Sequence, residues 1–453
     1  MMTNDTIAAV ATAPGRGGIG IIRLSGPMAL QIAGHVLETD LQPRYAHYCT
    51  LRDSKGEVLD TGLAIYFPAP NSFTGEDVIE LQMHGSPVVL DLIMSELLRG
   101  GARSANPGEF SERAFLNSRL DLAQAEAIAD LINSTTEKAA RSASRSLQGE
   151  FSREIDAIVG AVTALRVYVE ASIDFAEEEI DFLGDGAVDQ RLSDIADQFC
   201  SLQQAAKQGS LLQEGMKLVI AGRPNAGKSS LMNVIAGRDA AIVTPLAGTT
   251  RDVLREHVQI DGLPLHLVDT AGLHDSVDPI EQEGIRRARL ELNSADRVLL
   301  VIDSSLVNNE IDLTALTKEV GIEMADVPPI TLLHNKIDLS GESPRILELD
   351  NVTHIYLSAK TGDGFDLLRA HLKQCCGYES EAAGNFSARR RHLDALARAN
   401  QCIDSARHQL GNRAGELMAE DLKQCQQSLG EITGVISNDE LLGKIFSSFC
   451  IGK

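Results

Sequence analysis

The chain has no apolar run of the roughly 18 to 20 residues a spanning helix needs, and it does not open on a charged-then-apolar signal segment. An anchored or exported protein is therefore not expected. It also lacks any C-x-x-C: Cys49, Cys200, Cys375, Cys376, Cys402, Cys425 and Cys450 are scattered and odd in number. That spacing argues against a disulfide framework or a structural zinc site, and points to reduced thiols in the cytoplasm. The end Cys450-Ile451-Gly452-Lys453 lacks the aliphatic residue and the usual terminal residue of a prenylation box. Positive charge is short. With 41 Lys+Arg against 64 Asp+Glu, the formal charge is −23. Bulk attraction to nucleic acid, which needs clustered basic surface, is excluded, although a local basic patch is not.

Proline is missing from two long stretches. All fourteen prolines fall in residues 1–118 (seven) and 213–379 (seven), leaving 119–212 and 380–453 without any. A proline removes a backbone donor and collides with the preceding helical turn, so those stretches suit continuous helices. Apolar periodicity agrees: Leu120, Ala123, Ala127, Ile128, Leu131 and Ile132 recur at helical spacing, as do Ile155, Ile158, Val159, Val162 and Leu165, and later Leu393, Leu396, Ile403 and Leu410. One helical domain interrupted by an inserted one explains this pattern; two independent helical domains would look the same.

What is present fills three regions. A length of 453 residues corresponds to about three domains at roughly 150 residues each. A hydrophobic share of 43% is enough for packed cores, so neither a disordered chain nor a fibre is expected. Residues 1–118 mix short strands, Ile19–Leu24 and Val78–Gln82, with a helix near Val88–Leu98, and read as α+β. From about Gly215 to Cys376, apolar runs at Lys217–Ala221, Leu265–Val268, Val298–Ile302, Ile330–Leu333 and Ile355–Leu357 alternate with helical patterns. That alternation predicts a doubly wound, mostly parallel sheet.

The strongest motif is Gly222-Arg223-Pro224-Asn225-Ala226-Gly227-Lys228-Ser229, which fits G-x-x-x-x-G-K-[ST] between a strand and the helix-compatible run Ser229–Ile235. Glycines let backbone N–H groups turn inward around phosphates, and a helix N-terminus adds favourable partial charge. Lys228 is expected on the β- and γ-phosphates and the Ser229 hydroxyl on Mg²⁺. Asp269-Thr270-Ala271-Gly272 follows the second strand, which puts Asp269 near the metal; a turn-forming Asp is the plain alternative. Asn335-Lys336-Ile337-Asp338 follows the fourth strand, where the Asp338 carboxylate can accept from both the ring N–H and the exocyclic amine of guanine. Ser358-Ala359-Lys360 can support the same base. Four such motifs in order, each after a strand, predict a GTPase.

Thr250, within Gly248-Thr249-Thr250-Arg251-Asp252, is the expected switch residue. Leu273 stands where Ras-like proteins carry a water-orienting Gln, so hydrolysis needs a substitute. Glu281 and Glu283 could each supply it, and both would serve equally as solvated acids at a helix start. Gly15-Arg16-Gly17-Gly18-Ile19-Gly20 satisfies G-x-G-x-x-G but leads into the strand-like Ile21-Ile22-Arg23-Leu24, so it is no dinucleotide site.

Three N-terminal stretches are polar and specific: Ser72-Phe73-Thr74-Gly75-Glu76-Asp77, Glu80-Leu81-Gln82-Met83-His84-Gly85 and Pro107-Gly108-Glu109-Phe110-Ser111-Glu112-Arg113-Ala114-Phe115-Leu116-Asn117. With the GTPase motifs and the Cys450–Lys453 end, they make the whole chain resemble the MnmE (TrmE) family of tRNA-modification GTPases. That resemblance implies four segments: 1–118, a tetrahydrofolate-binding and dimerisation domain; 119–213, the first part of a helical domain; 214–378, an inserted GTPase domain; and 379–453, the second helical part. It implies GTP contacts at Asn225, Ala226, Gly227, Lys228, Ser229 and Ser230; at Thr244, Pro245, Leu246, Ala247, Gly248, Thr249 and Thr250; and at Asp269, Thr270, Ala271, Gly272, Asn335, Lys336, Asp338, Ser358, Ala359 and Lys360.

Mg²⁺ is implied on Ser229 and Thr250, and a potassium ion on Asn225, Thr244, Leu246 and Thr249, acting where other GTPases use an arginine finger. Glu281 matches the family's water-activating carboxylate, which joins Lys228 and Cys450 as implied catalytic residues. Arg23, Glu80, Arg119 and Lys453 match residues contacting one-carbon tetrahydrofolate, in its 5-formyl or 5,10-methylene form; Arg119 stands where many members have Lys, which keeps charge but changes contact geometry. Further implications are a homodimer and a heterotetramer with the flavoprotein MnmG (GidA), which carries FAD and uses NADH, and tRNA held through that complex. A ribosome-assembly GTPase is the alternative. It would need a compact basic module, and the one short cluster, Arg389-Arg390-Arg391, suits a solvated helix face. A pure signalling switch would have no use for the N-terminal motifs or the Cys450 end.

Overall fold

The computed structural model describes residues 5–174, 186–239, 255–269, 295–306, 313–319, 328–349, 351–377, 386–436 and 439–452. The chain forms two compact units: Met1–Ala129 with Ser146–Asp197 and Ala395–Lys453, and Asp130–Arg145 with Gln198–Asp394.

The first unit contains a six-stranded sheet. Its strands are β1 (Ile7–Val10), β2 (Gly17–Ser25), β3 (His47–Arg52), β4 (Val58–Phe67), β5 (Val78–Gly85) and β6 (Arg103–Ser104), in the order β3-β4-β5-β2-β1-β6. All neighbours are antiparallel except β1 and β6. The helix Pro87–Arg99 starts on a proline that fixes φ where no N–H partner is needed. It turns Leu90, Ile93 and Leu97 onto the sheet beside Ile22, Leu24, Ile79 and Leu81. Each such side chain contributes about 1.5–3 kcal/mol by leaving water. This is the expected α+β arrangement, and the G-x-G-x-x-G run enters β2 rather than a helix.

The proline-free stretches are helical. Leu122–Asn133, Glu137–Leu147, Glu150–Asp174 and Ala187–Glu214 occupy the first, and Arg390–Gly411, Gly415–Thr433 and Asp439–Ser447 the second. Glu150–Asp174 buries Phe151, Ile155, Ile158, Val162, Leu165 and Val169 at spacings of three and four. Its Arg166 and Thr163 meet Gln426 of Gly415–Thr433. Among the described residues no helix is long and apolar enough to cross a membrane.

The second unit contains β7 (Met216–Gly222), β8 (Arg255–Ile260), β9 (Leu263–Asp269), β10 (Arg297–Asp303), β11 (Ile330–Asn335), β12 (Arg345–Leu349) and β13 (Val352–Tyr356), in the order β12-β13-β11-β10-β7-β9-β8. The five strands read from apolar runs are parallel. The two not anticipated, β8 and β12, are the antiparallel edges. Edge strands have one open side and carry polar residues, so REHVQI and RILEL lack the continuous apolar signature of a buried parallel strand. Two cores flank the sheet. Leu231, Met232, Leu368 and Leu372 join one face, while Leu313 and Leu316 pack against the other. Helices on both faces make the sheet doubly wound, as expected.

Candidate functional site

The loop between β7 and the helix Lys228–Asp239 is built on left-handed backbone, with Asn225 at φ 62° and Gly227 at φ 98°. A Cβ at Gly227 would stand 2.2 Å from Asn335 Nδ2, so only glycine fits there. Lys228 folds back over the loop, its Nζ donating to the carbonyls of Gly222 (2.8 Å) and Arg223 (3.0 Å). Ser229 and Ser230 are exposed on the first helical turn.

Asn335 joins this loop to the far end of the sheet. It is 2% exposed; Nδ2 donates to Ala226 O at 2.9 Å and Oδ1 accepts from Ala359 N–H at 2.9 Å. Ser358 Oγ donates to Asp338 Oδ1 at 2.7 Å and fixes that carboxylate beside the loop. Lys336 takes a left-handed φ of 66° and donates to Asp303 Oδ2 at 2.6 Å. Burial pushes the Asp303 carboxyl up, but hydrogen bonds from Lys336 and Ser305 outweigh it and hold the group below the usual range. Lys360 lies exposed next to Ala359. Asn225, Ala226, Gly227, Lys228, Asn335, Lys336, Asp338, Ser358 and Ala359 are thereby brought to one end of the parallel strands.

The remaining nucleotide-side expectations lie outside the described residues: Thr244, Pro245, Leu246, Ala247, Gly248, Thr249, Thr250, Thr270, Ala271, Gly272, Leu273, Glu281 and Glu283. Asp269 closes β9, with its side chain also outside the description.

A second cluster lies in the first unit. Arg23 on β2 stands opposite Glu80 on β5, with Nε and Nη2 donating to Oε1 at 3.0 and 2.7 Å. Its guanidinium sits over Phe73 (5.4 Å) and Phe110 (5.7 Å). The C-terminal segment docks close by: Gly108 N–H donates to Cys450 O at 3.3 Å, and Gly452, at φ 93°, lies so close to β1 that a Cβ would stand 2.4 Å from Val10 O. Cys450 is exposed. The Arg119 stem packs on Gly75, two residues from Phe73. Lys453 lies outside the described residues.

Sequence reasoning missed what the polar N-terminal motifs build. Arg113, 3% exposed, donates to Asp5 Oδ1 (2.8 Å), Glu109 Oε1 (3.0 Å) and Glu76 Oε2 (3.1 Å), and Ser25 Oγ donates to Glu76 Oε2 at 2.7 Å. Arg103 adds a bond of 2.6 Å to Glu109. Burial pushes the Glu109 carboxyl up, yet bonds from Arg103, Asn106 N–H and Arg113 hold it below the usual range. The one local signal was the i,i+4 spacing of Glu109 and Arg113.

A family model described as MnmE helical domain matches residues 122–450, and one described as GTP-binding protein TrmE N-terminus matches residues 6–119. The chain is 58% identical over 451 residues to the tRNA modification GTPase MnmE of Pseudomonas aeruginosa, covering 99% of each chain. It is 56% identical over 453 residues to that of Saccharophagus degradans, covering 100% of this chain and 99% of the other. To that of a Marinomonas species it is 55% identical over 450 residues, covering 99% and 98%.

Proposed function

The chain belongs to the tRNA modification GTPase MnmE family, and from that premise we propose that its GTP hydrolysis drives addition of an aminomethyl or carboxymethylaminomethyl group to C5 of the wobble uridine of certain tRNAs. The observation that carries the nucleotide reading is Asn335, one buried side chain bonded to the phosphate-side loop at Ala226 and to the base-side loop at Ala359. In this reading Lys228 leaves the Gly222 and Arg223 carbonyls, which are weak substitutes, for the β- and γ-phosphates of GTP. Asp338, oriented by Ser358, accepts from guanine, with Lys336 and Lys360 beside the base.

Ser229 presents an exposed hydroxyl on the first turn of its helix, a hard oxygen that fits magnesium. Ser229 and Thr250 would hold that ion, which when bound neutralises charge on the β- and γ-phosphates. Asn225, Thr244, Leu246 and Thr249 would hold potassium, and Glu281 would orient and deprotonate the attacking water in place of Leu273. In the first unit, the partly exposed Arg23–Glu80 pair, backed by Phe73 and Phe110, suits a flat heteroaromatic ring bearing donors and acceptors. Arg23, Glu80, Arg119 and Lys453 would orient one-carbon tetrahydrofolate there, with the Cys450 thiol nearby.

The same reading assigns residues 1–118 to folate binding and dimerisation, 119–213 and 379–453 to the helical domain, and 214–378 to GTP. It makes the protein a cytoplasmic homodimer that works with the flavoprotein MnmG, the carrier of FAD and user of NADH. With a charge of −23, the chain leaves most of the grip on tRNA to that partner. The deciding experiment is mass analysis of tRNA from cells lacking this chain. Loss of the C5 substituent is expected, and unchanged wobble uridines would sink the proposal. Faster GTP turnover in potassium than in sodium is expected too; equal rates would remove the potassium assignment.

A further inference from the structure

Beside the base-side loop stands a stack of side chains that the nucleotide contacts do not use. His334 is the penultimate residue of β11, directly before Asn335, and is 4% exposed. The register sets it opposite Tyr356 on β13, whose own partner on β12 is Arg345. The His334 and Tyr356 ring centroids are 3.9 Å apart at an interplanar angle of 13°. Arg345 Cζ lies 3.6 Å from the centroid of the Tyr356 ring, and Glu342 holds that guanidinium at 2.7 Å. His354 Nδ1 lies 3.0 Å from His334 Nε2. Burial, reinforced by His354 and Arg345 and opposed by Glu342, pushes His334 down to about 4. The imidazole is therefore neutral at ordinary pH and stacks without repelling Arg345.

The stack is joined to the base-side loops through the backbone. Leu357 N–H donates to His334 O at 2.9 Å, and Ile337 N–H donates to Leu357 O at 3.4 Å. The ring of His334 packs against Tyr356 of β13 at the point where those backbone bonds join the two strand ends. From those ends project Asn335 and Asp338 on one side and Ser358 and Ala359 on the other. We propose that His334, packed on Tyr356 and His354, is a positioning residue for base selection, holding the two strand ends at the spacing at which Ser358 orients Asp338. The inference rests on the reading of Asp338 as the guanine-selecting carboxylate. A ring that merely filled the core would contribute to stability and leave discrimination between bases alone.

The test uses the full chain and two nucleotides, GTP and ITP, which differ only in the exocyclic amine that Asp338 would accept. Each displaces a fluorescent GDP from the wild type, His334→Phe, His334→Ala and Tyr356→Leu, and kcat is measured at saturating GTP. His334→Ala and Tyr356→Leu should narrow the GTP-over-ITP preference about tenfold, the scale of one well-aligned hydrogen bond to a charged group, while kcat stays within about threefold. His334→Phe keeps the stack and should keep the preference within about twofold. An unchanged preference in His334→Ala and Tyr356→Leu overturns the proposal, as does a His334→Phe variant that loses as much as the stack-breaking ones. If His334→Ala does not fold, the other two variants decide. Asp338→Asn separates this failure from failure of the base reading. It should exchange GTP for XTP binding, and a variant that still prefers GTP removes the role of Asp338 itself.

Discussion

Replacing Asn335 with alanine tests the bridge on which the proposed nucleotide site rests. Asn335 is 2% exposed, as is Ala226, and Ala359 is 5% exposed, so water does not replace what the side chain supplies. Asn335→Ala strands two groups, the Ala226 carbonyl and the Ala359 N–H, each now bonded at 2.9 Å. An unpaired buried polar group costs about 1–3 kcal/mol, so the pair costs about 2–6 kcal/mol. Part of that loss falls on folding, and part on the alignment of the phosphate-side and base-side loops. If half falls on binding, about 1–3 kcal/mol, GTP affinity drops about 5- to 150-fold, read by titration against a fluorescent GDP. Asn335→Asp sharpens the test. It keeps the acceptor for Ala359 N–H but sets a second acceptor against the Ala226 carbonyl, so it should bind GTP no better than the alanine variant. GTP affinity within about twofold of wild type in Asn335→Ala, or an intact Asn335→Asp, would refute the bridging role.

Three other perturbations read different parts of the chain. Arg113→Met should destabilise the first unit by about 3–5 kcal/mol in thermal or urea unfolding, because Asp5, Glu76 and Glu109 lose their shared buried partner; a shift below about 1 kcal/mol would make the network a surface feature. The second unit should lose stability as pH falls. His334 is held at about 4 against a usual 6.5, and His371 is lowered as well by burial. The unfolded chain therefore takes up these protons first, and stability present above pH 6.5 is lost between about 6.5 and 4. For His334, facing His354, Glu342 and Arg345, the span is about 3 kcal/mol, and denaturant titrations of His334→Phe should lack it. Gly452→Ala places a Cβ 2.4 Å from Val10 O at a backbone φ of 93° and should dislodge the C-terminal segment. Wobble modification in cells should then fall while GTP turnover persists; parallel loss of both would tie the tail to the nucleotide site instead.

What was legible in the sequence was what is local. The phosphate-side loop could be read because its glycines, its lysine and the flanking strand and helix lie within some twenty residues, and each residue type answers to one requirement of phosphate geometry. The central strands could be read because both of their faces are covered, which forces continuous apolar runs. Their edges could not, since β8 and β12 carry neither a continuous apolar run nor a regular polar–apolar alternation and obtain their pairing from a neighbour already in place.

The same division separates the motifs from the groups that hold them. Asn335 is visible as a motif, but its bond to Ala226 spans 109 residues, and Arg113 meets Asp5 across 108. The stack at His334 depends on the register of three strands, and a one-residue slip of β12 would turn Arg345 to the opposite face. Spacing in the sequence therefore points to the residues proposed to meet a ligand. Strand register sets what those motif residues pack against, and in the proposed base-selecting role of His334 the two kinds of information meet in adjacent residues, His334 and Asn335.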